Sequence, residues 1–450
     1  MTKKHIVIRE FGYLLPESAG VQEEAGQLCK VSKKAFKNLQ ALLYNESNEE
    51  DEHRHFLKPA RKAGSEALQV RNYVGVLHTQ CGTQIEILPK IHDGDDDEKV
   101  RGILIEILRY LRSPYFRESR QALLRDVKMP LIEVFFSYFL GEVNMLVKKG
   151  IRSDYVSREE NLQFLKGKLM MAQNIRVNAV QKHRFFTQYD EYLSDRPENR
   201  LIRSCLEVIR KASRQPRNQR LSRELLFAFD AVPASRDHKT DFSRCKSNRA
   251  MAHYEHVMQW CRIILGQRSP VSSKGATGTI SILFPMERIF EDYVAAKMRE
   301  YFTDYQVVAQ SRGKWLVAGH ERTTGKSLPM FQMRPDLLIQ SGKDVFCVAD
   351  TKWKRINQAD SENKYGISQA DMYQLYAYAR KFQCGQVILI YPEVKGSFDE
   401  PLKPFDFGNG FSLHVVPFPL ENMGKVENHK TITLMTKLFI NRVQHMAQEA

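Results

Sequence analysis

The spacing of apolar residues changes period twice along the chain, and those changes constrain the fold more than any other feature. In the first third, HIVIREFG, ALQVRNYVGVLHT and TQIEILPKI are short, rich in Val, Ile and aromatic residues, and partly alternating, as half-buried strands are. QVRNYVGVLHTQCGTQIEILPK reads as one hairpin turned at Gln80–Thr83. In the middle, KVRGILIEILRYLR places Ile103, Leu104, Ile107, Leu108 and Leu111 at the three–four spacing of an amphipathic helix. Similar helices are predicted at 131–147, 158–172, 199–212, 222–229 and 249–265. The last third mixes both periods: helix 285–302, strands 333–340 and 345–353, helix 368–382, then the apolar strand QVILIYP. Helices alternating with strands around one sheet imply an α/β domain.

The pattern therefore predicts an α+β multidomain chain. A β-rich domain spans 1–98, a basic helical domain 99–275, and an α/β domain with a mixed sheet 276–450. The small, polar segment SPVSSKGATGT (269–279) marks the second boundary. Charge is divided in the same way. Residues 1–98 carry 13 basic and 16 acidic side chains, 99–250 carry 31 and 17, and 251–450 carry 24 and 20. Nearly all of the overall +15 thus arises in the middle, which points to a polyanion or an acidic partner. The acidic runs NESNEEDEH (45–53) and HDGDDDE (92–98) read as solvated loops, the second just before a helix whose dipole suits carboxylates.

Several classes are excluded. No apolar run approaches the ~18–20 residues of a membrane helix. The start, MTKKHIVIREFGYLLPES, lacks the apolar core and cleavage site of a secretory signal. Seven scattered cysteines with no CxxC pair read as reduced thiols of a cytoplasmic protein. There is no Gly-x-x-x-x-Gly-Lys-Ser/Thr loop, so no nucleotide is expected on this chain alone. A Gly-x-Ser-x-Gly elbow and a His-Glu-x-x-His helix are also absent. Cys245, His253, His256 and Cys261 match no common zinc spacing and read as surface or core residues.

Chemistry concentrates in MRPDLLIQSGKDVFCVADTKWK (333–354), two strands flanking a Ser341–Asp344 turn. A three-residue loop, Gly342–Asp344, pairs Ser341 with Val345 and sets Asp336 opposite Asp350. A four-residue loop sets Asp336 against Ala349 and sends the carboxylates to opposite faces. In the first register their Cβ atoms lie ~4.5–5.5 Å apart. Lys352, two residues beyond Asp350, shares its face. Facing carboxylates repel, and a divalent cation relieves them; Mg²⁺ takes one or two carboxylates plus water or phosphate oxygens. Lys352 can position a water or neutralise a phosphoryl group, so the set reads as a metal-dependent phosphodiesterase site. The bland alternative is an ordinary solvated strand face. Glu291 lies at the margin of the buried stripe of helix 285–302, either near such a metal or on the surface. Ser368 and Asp371 make a capping-box-like start to helix 368–382. Gln374 and Tyr378, four apart, share a face there, for a carboxylate or for packing.

RPDLLI, VADTKWK and SQADMYQLYAYA, in this order, resemble the C-terminal nuclease domain of McrC proteins. IFEDYV, ENLQFLKGKL (160–169), YDEYLSDRPENRLIR (189–203) and VGVLHTQCGTQIEILPKI extend the resemblance over most of the chain. McrC is the nuclease subunit of McrBC modification-dependent restriction systems, with a PD-(D/E)xK nuclease domain. The resemblance implies a Mg²⁺-dependent endodeoxyribonuclease, with Mn²⁺ as the substitute cation. Asp336 and Asp350 become metal-binding carboxylates, Lys352 the catalytic lysine, Glu291 the acid of the first helix, and Gln374 with Tyr378 a Gln-x-x-x-Tyr feature. The second acid is Asp where Glu is commoner, one methylene shorter. The resemblance also implies an McrB-like GTP-hydrolysing AAA+ ring as partner, modified double-stranded DNA as substrate, no membrane, and a docking role for residues 1–98. Two other readings compete: a non-enzymatic DNA-binding adaptor that stimulates the motor, and a stand-alone RecB-like repair nuclease.

Overall fold

The structure, a computed structural model, describes residues 5–44, 56–79, 81–91, 96–110, 129–245, 249–266, 281–311, 313–320, 327–342, 344–408, 410–420 and 430–438. The acidic run 45–53, most of the run 92–98, the boundary segment 269–279 and the turn residues Gln80 and Lys343 lie outside them. The chain forms two compact units, Met1–Lys128 with Leu283–Ala450, and Met129–Ile282. The first and last thirds, expected as separate domains, thus build one unit.

The reason is visible in the first sheet. Strands β1 (His5–Pro16), β2 (Gly26–Val31), β3 (Leu57–Lys62), β4 (Ser65–Val70), β5 (Tyr73–His78) and β6 (Gln84–Leu88) surround the predicted β5–β6 hairpin. A strand from the far side of the chain, β10 (Ser281–Pro285), completes the order β10-β5-β6-β1-β4-β3, with β2 also paired to β1. Leu283 enters the core formed by Ile8, Leu14, Phe36, Val70 and Ile85, and the Met286 amide donates to the Asn72 carbonyl at 2.9 Å. Helices α1 (Lys33–Tyr44) and α2 (Asp97–Leu108) belong to the same unit.

The last third is the expected mixed sheet. Its order is β11 (Gln306–Ala309), β14 (Leu337–Ser341), β15 (Asp344–Thr351), β16 (Gln386–Pro392), β18 (Phe411–Phe418), β17 (Phe405–Gly408). The centre, β15-β16-β18, is parallel and the flanks are antiparallel. Among the described residues, strands β12 (Trp315–His320) and β13 (Ser327–Gln332) pair only with each other. Helix α9 (Met286–Tyr301) buries Ile289, Phe290 and Tyr293, as its stripe predicts. Helix α10 (Gln369–Phe382) starts at Ser368, whose hydroxyl accepts from the Asp371 amide at 3.1 Å. It packs Leu375, Tyr378 and Phe382 with Leu338 and Val348.

The second unit is helical around α3 (Leu131–Lys149), α5 (Pro197–Ala212), α6 (Pro216–Ala228) and α8 (Glu255–Gly266), with short α4 (Met171–Val177) and α7 (His238–Arg244). One expectation fails: 158–172 is not a helix. It falls in β7 (Asp154–Leu162), a loop, β8 (Lys168–Leu169) and the start of α4, in the sheet β7-β9-β8 completed by β9 (Phe185–Leu193). Apolar residues at Leu162, Leu165, Leu169 and Met171 mimic helical spacing, but β7 and β9 match residue for residue from Asp154–Leu193 to Leu162–Phe185. Gly167 enforces the break, with φ +75° and a backbone pressed against Gln188 and Tyr189. The strands, loop and short helix leave Tyr155, Tyr192, Phe164 and Ile175 more than 60% exposed.

Among the described residues no helix is long and apolar enough to cross a membrane, and none of the seven cysteines is in a disulfide. A Cβ on Gly167 would meet the Gln188 carbonyl oxygen at 2.5 Å, so Gly167→Ala should lower unfolding stability by about 1–3 kcal/mol. Chemical denaturation measures this, and an unchanged midpoint would contradict the strand assignment.

Candidate active site

Register brings the two acids together, by a route the sequence did not predict. Near the turn, Ser341 pairs with Asp344 and not with Val345, so the loop is one residue tighter than expected. A bulge then restores the offset: Gln340 pairs with Val345 but Ile339 with Cys347, leaving Phe346 as the extra residue. Beyond it the pairs are Leu338–Val348 and Leu337–Ala349, and one further step sets Asp336 against Asp350. The expected opposition is reached through the bulge.

Each acid is held differently. Asp336 Oδ2 accepts from the Thr351 amide at 2.7 Å and the Thr351 hydroxyl at 2.8 Å. Asp350, 1% exposed, pairs through Oδ2 with the Lys352 ammonium. Its Oδ1 has only a long contact, 3.5 Å, from Gln374 Nε2, which also donates to the Tyr378 hydroxyl at 2.9 Å. Burial, then the negative charge of Asp336, pushes Asp350 up to about 7, against the pull of Lys352. Burial raises Asp336 as well, opposed by the two Thr351 bonds. Lys352 is raised: burial opposes its charge, but Asp350 and Asp336 outweigh that.

Of the residues singled out in the sequence, the structure gathers Asp336, Asp350, Lys352, Gln374 and Tyr378. Glu291 lies half-buried on α9, beside Phe290, whose ring packs against Trp353 at 5.2 Å. The charges acting most strongly on Asp350 are those of Asp336, Lys352 and Asp371. Among the described residues no group of three or more His, Cys, Asp or Glu side chains is placed to hold a metal ion. Asp371 is the acid that sequence reasoning passed over as a cap. It is buried, 3.6 Å from the Lys354 ammonium, and one helical turn before Gln374. That one-turn spacing was the available signal.

The donor set fits a hard divalent cation. It is all oxygen, it contains two facing carboxylates, and Asp350 Oδ1 is buried with little to hold it. Asp336 and Asp350 would hold Mg²⁺ or Mn²⁺, with solvent or phosphate oxygens completing the shell.

Comparisons agree with this architecture. Residues 68–392 match the model of the family described as McrBC 5-methylcytosine restriction system component. The chain is 24% identical over 315 residues to the Escherichia coli K12 type IV methyl-directed restriction enzyme EcoKMcrBC, covering 66% of this chain and 86% of that protein. Its fold is similar, at TM-score 0.62 and 17% identity, to a chain of the refined half-complex from the tetradecameric assembly of Thermococcus gammatolerans McrB AAA+ hexamers with bound McrC. That match covers 98% of this chain and 100% of that one. A chain of the Thermococcus gammatolerans McrBC complex aligns at TM-score 0.47 and 18% identity, over 67% of this chain and 89% of that one. The protein is thus a mixed α/β multidomain chain of a restriction system. It belongs to the family of McrBC 5-methylcytosine restriction system components.

Protons and cations compete for the same oxygens. Because Asp350 titrates near 7, cation affinity should be weak below that pH, rise through it, and flatten above it. Calorimetric titration with Mn²⁺ should release about one proton at pH 6 and fewer at pH 8. Equal affinity at both would contradict the pair as ligands.

Proposed function

We propose that this chain is the DNA-cutting subunit of an McrBC-type complex, a metal-dependent endonuclease of the PD-(D/E)xK kind resembling McrC. The observation that carries this reading is the buried Asp336–Asp350 pair with Lys352 on the Asp350 carboxylate. Like charges brought together out of water weaken a fold unless something is gained by holding them there. A bound Mg²⁺ supplies electrophilic activation of a phosphoryl oxygen and a more acidic water. Thr351 fixes Asp336 through two hydrogen bonds and so sets one wall of the site. Lys352, its affinity for a proton raised by the acids, offers positive charge and a donor at the scissile phosphate. Gln374 orients Asp350 from α10.

The substrate is modified double-stranded DNA, in keeping with the family's 5-methylcytosine description and the methyl-directed relative. Exposed Arg214, Arg217, Arg220 and Arg223, on and just before α6, form a basic row suited to phosphates. The partner is an McrB-like AAA+ GTPase ring, the kind of assembly present in the Thermococcus structure. Residues 1–98, the docking region that the resemblance implies, share a unit with the last third. A second contact surface suited to that partner is the exposed aromatic face of β7 and β9, with Tyr155 and Tyr192 in ring contact at 5.0 Å.

Cleavage of methylated DNA with partner, GTP and Mg²⁺ tests the whole. Asp350→Ala and Lys352→Ala should abolish cutting while retaining partner binding and GTPase stimulation. Tyr155→Glu with Tyr192→Glu should remove that stimulation while leaving the fold intact. Wild-type cutting by Asp350→Ala would end the nuclease reading and favour the adaptor. Separately, replacing the four arginines by Glu should reduce the slope of log affinity against log salt by about 1 for each phosphate no longer bound. An unchanged slope would assign DNA binding to another surface.

A further inference from the structure

We propose that Glu10, at the opposite end of the chain, is a positioning residue for Lys352 and acts through the Trp353 indole. The inference rests on the nuclease reading for its meaning but on separate atoms for its support. Regular pairing of β15 with β16 ends at Thr351–Ile390. Lys352 is one residue beyond it, tied to the sheet by its amide, which donates to the Ile390 carbonyl at 2.9 Å. From Lys352 onward the backbone is no longer strand, so the direction of the lysine stem depends on how the next side chain is anchored.

That anchor is Trp353. It is 9% exposed, its ring lies against Phe290, and its indole N–H donates to Glu10 Oε2 at 3.0 Å. The same oxygen accepts from the Lys90 amide at 3.1 Å, which locks the carboxyl to the first sheet. Glu10 is itself placed by an irregularity in β1. Its neighbour Phe11 adopts φ +62°, and the pairing of β1 with β2 slips between Ile8 and Tyr13. Non-glycine residues rarely take that conformation without a reason, and here it lies beside the one carboxyl that meets the Trp353 indole.

A carboxyl is an odd choice for a purely structural anchor. Oε1 is buried with no hydrogen-bond partner, and Glu287 on α9 adds unfavourable negative charge. A well-packed apolar residue would seat the sheet without those penalties but would leave the indole N–H unpaired. The acid is explained if the orientation of Trp353, and with it Lys352, is what the contact preserves.

The test uses the full chain, with and without the partner. Glu10→Ala and Trp353→Phe each remove the hydrogen bond, whereas Glu10→Gln keeps an acceptor. Both disrupting variants should lower turnover at saturating methylated DNA at least tenfold, with KM within threefold of wild type. The double variant should be no slower than either single one, and Glu10→Gln should stay within threefold of wild type. Lys352 reports directly through its acetylation rate, read by mass spectrometry. Freed from its place on Asp350, it should label severalfold faster in Glu10→Ala and Trp353→Phe and at the wild-type rate in Glu10→Gln. Unchanged labelling and turnover in a folded Glu10→Ala would overturn the proposal. So would additive losses that merely track the melting temperature. If Glu10→Ala does not fold, Trp353→Phe carries the same comparison. If the wild type does not cut DNA, the nuclease reading fails, while the labelling comparison still decides whether Glu10 positions the lysine.

Discussion

Two carboxylates brought side by side out of water repel each other and lose hydration together, and the last-third sheet is arranged around that penalty. Asp336 is relieved by the Thr351 amide and hydroxyl, Asp350 by the ammonium of Lys352. Compensation is incomplete, since Asp350 remains raised to about 7. A third acid, Asp371, adds to the negative field and is itself met by Lys354 at 3.6 Å. From the helix above, Asp371 meets Lys354 and Gln374 reaches Asp350, so strand end and helix converge on one patch.

Geometry of this kind demands a rigid frame, and the frame is not local. The β14–β15 bulge at Phe346 sets the register, so one residue more or less in that hairpin would send the acids to opposite faces. The first third contributes as well: its sheet is completed by β10, and its buried Glu10 meets Trp353 across 343 positions of sequence. Fusing the chain ends into one unit gives the acid pair a second layer of support. The other unit carries exposed Tyr155 and Tyr192 and a row of exposed arginines.

Local patterns were legible wherever burial was strong and one-sided. The stripe of α9, the β5–β6 hairpin and the shared face of Asp350 and Lys352 could be read because period two and period 3.6 are properties of a short segment against any apolar surface. The failure at 158–172 has the matching cause. That segment is largely exposed, so its apolar spacing carries little information, and its partner β9 lies more than twenty residues away. Nor could the sequence show that the tighter turn at Ser341–Asp344 is offset by a bulge, since both arrangements place the same residues in strands.

The sequence by itself determined that Asp350 and Lys352 share a face, that an acid from the preceding strand can oppose them, and that Gln374 and Tyr378 lie together on one side of a helix. Each of these arises from backbone geometry over a few residues. Only the tertiary structure decided that Asp371 acts on the pair, and that the first and last thirds belong to one unit. It also decided that a glutamate from the first strand holds the tryptophan beside the lysine. Those outcomes depend on which distant surfaces meet, and no spacing within a segment encodes its partner.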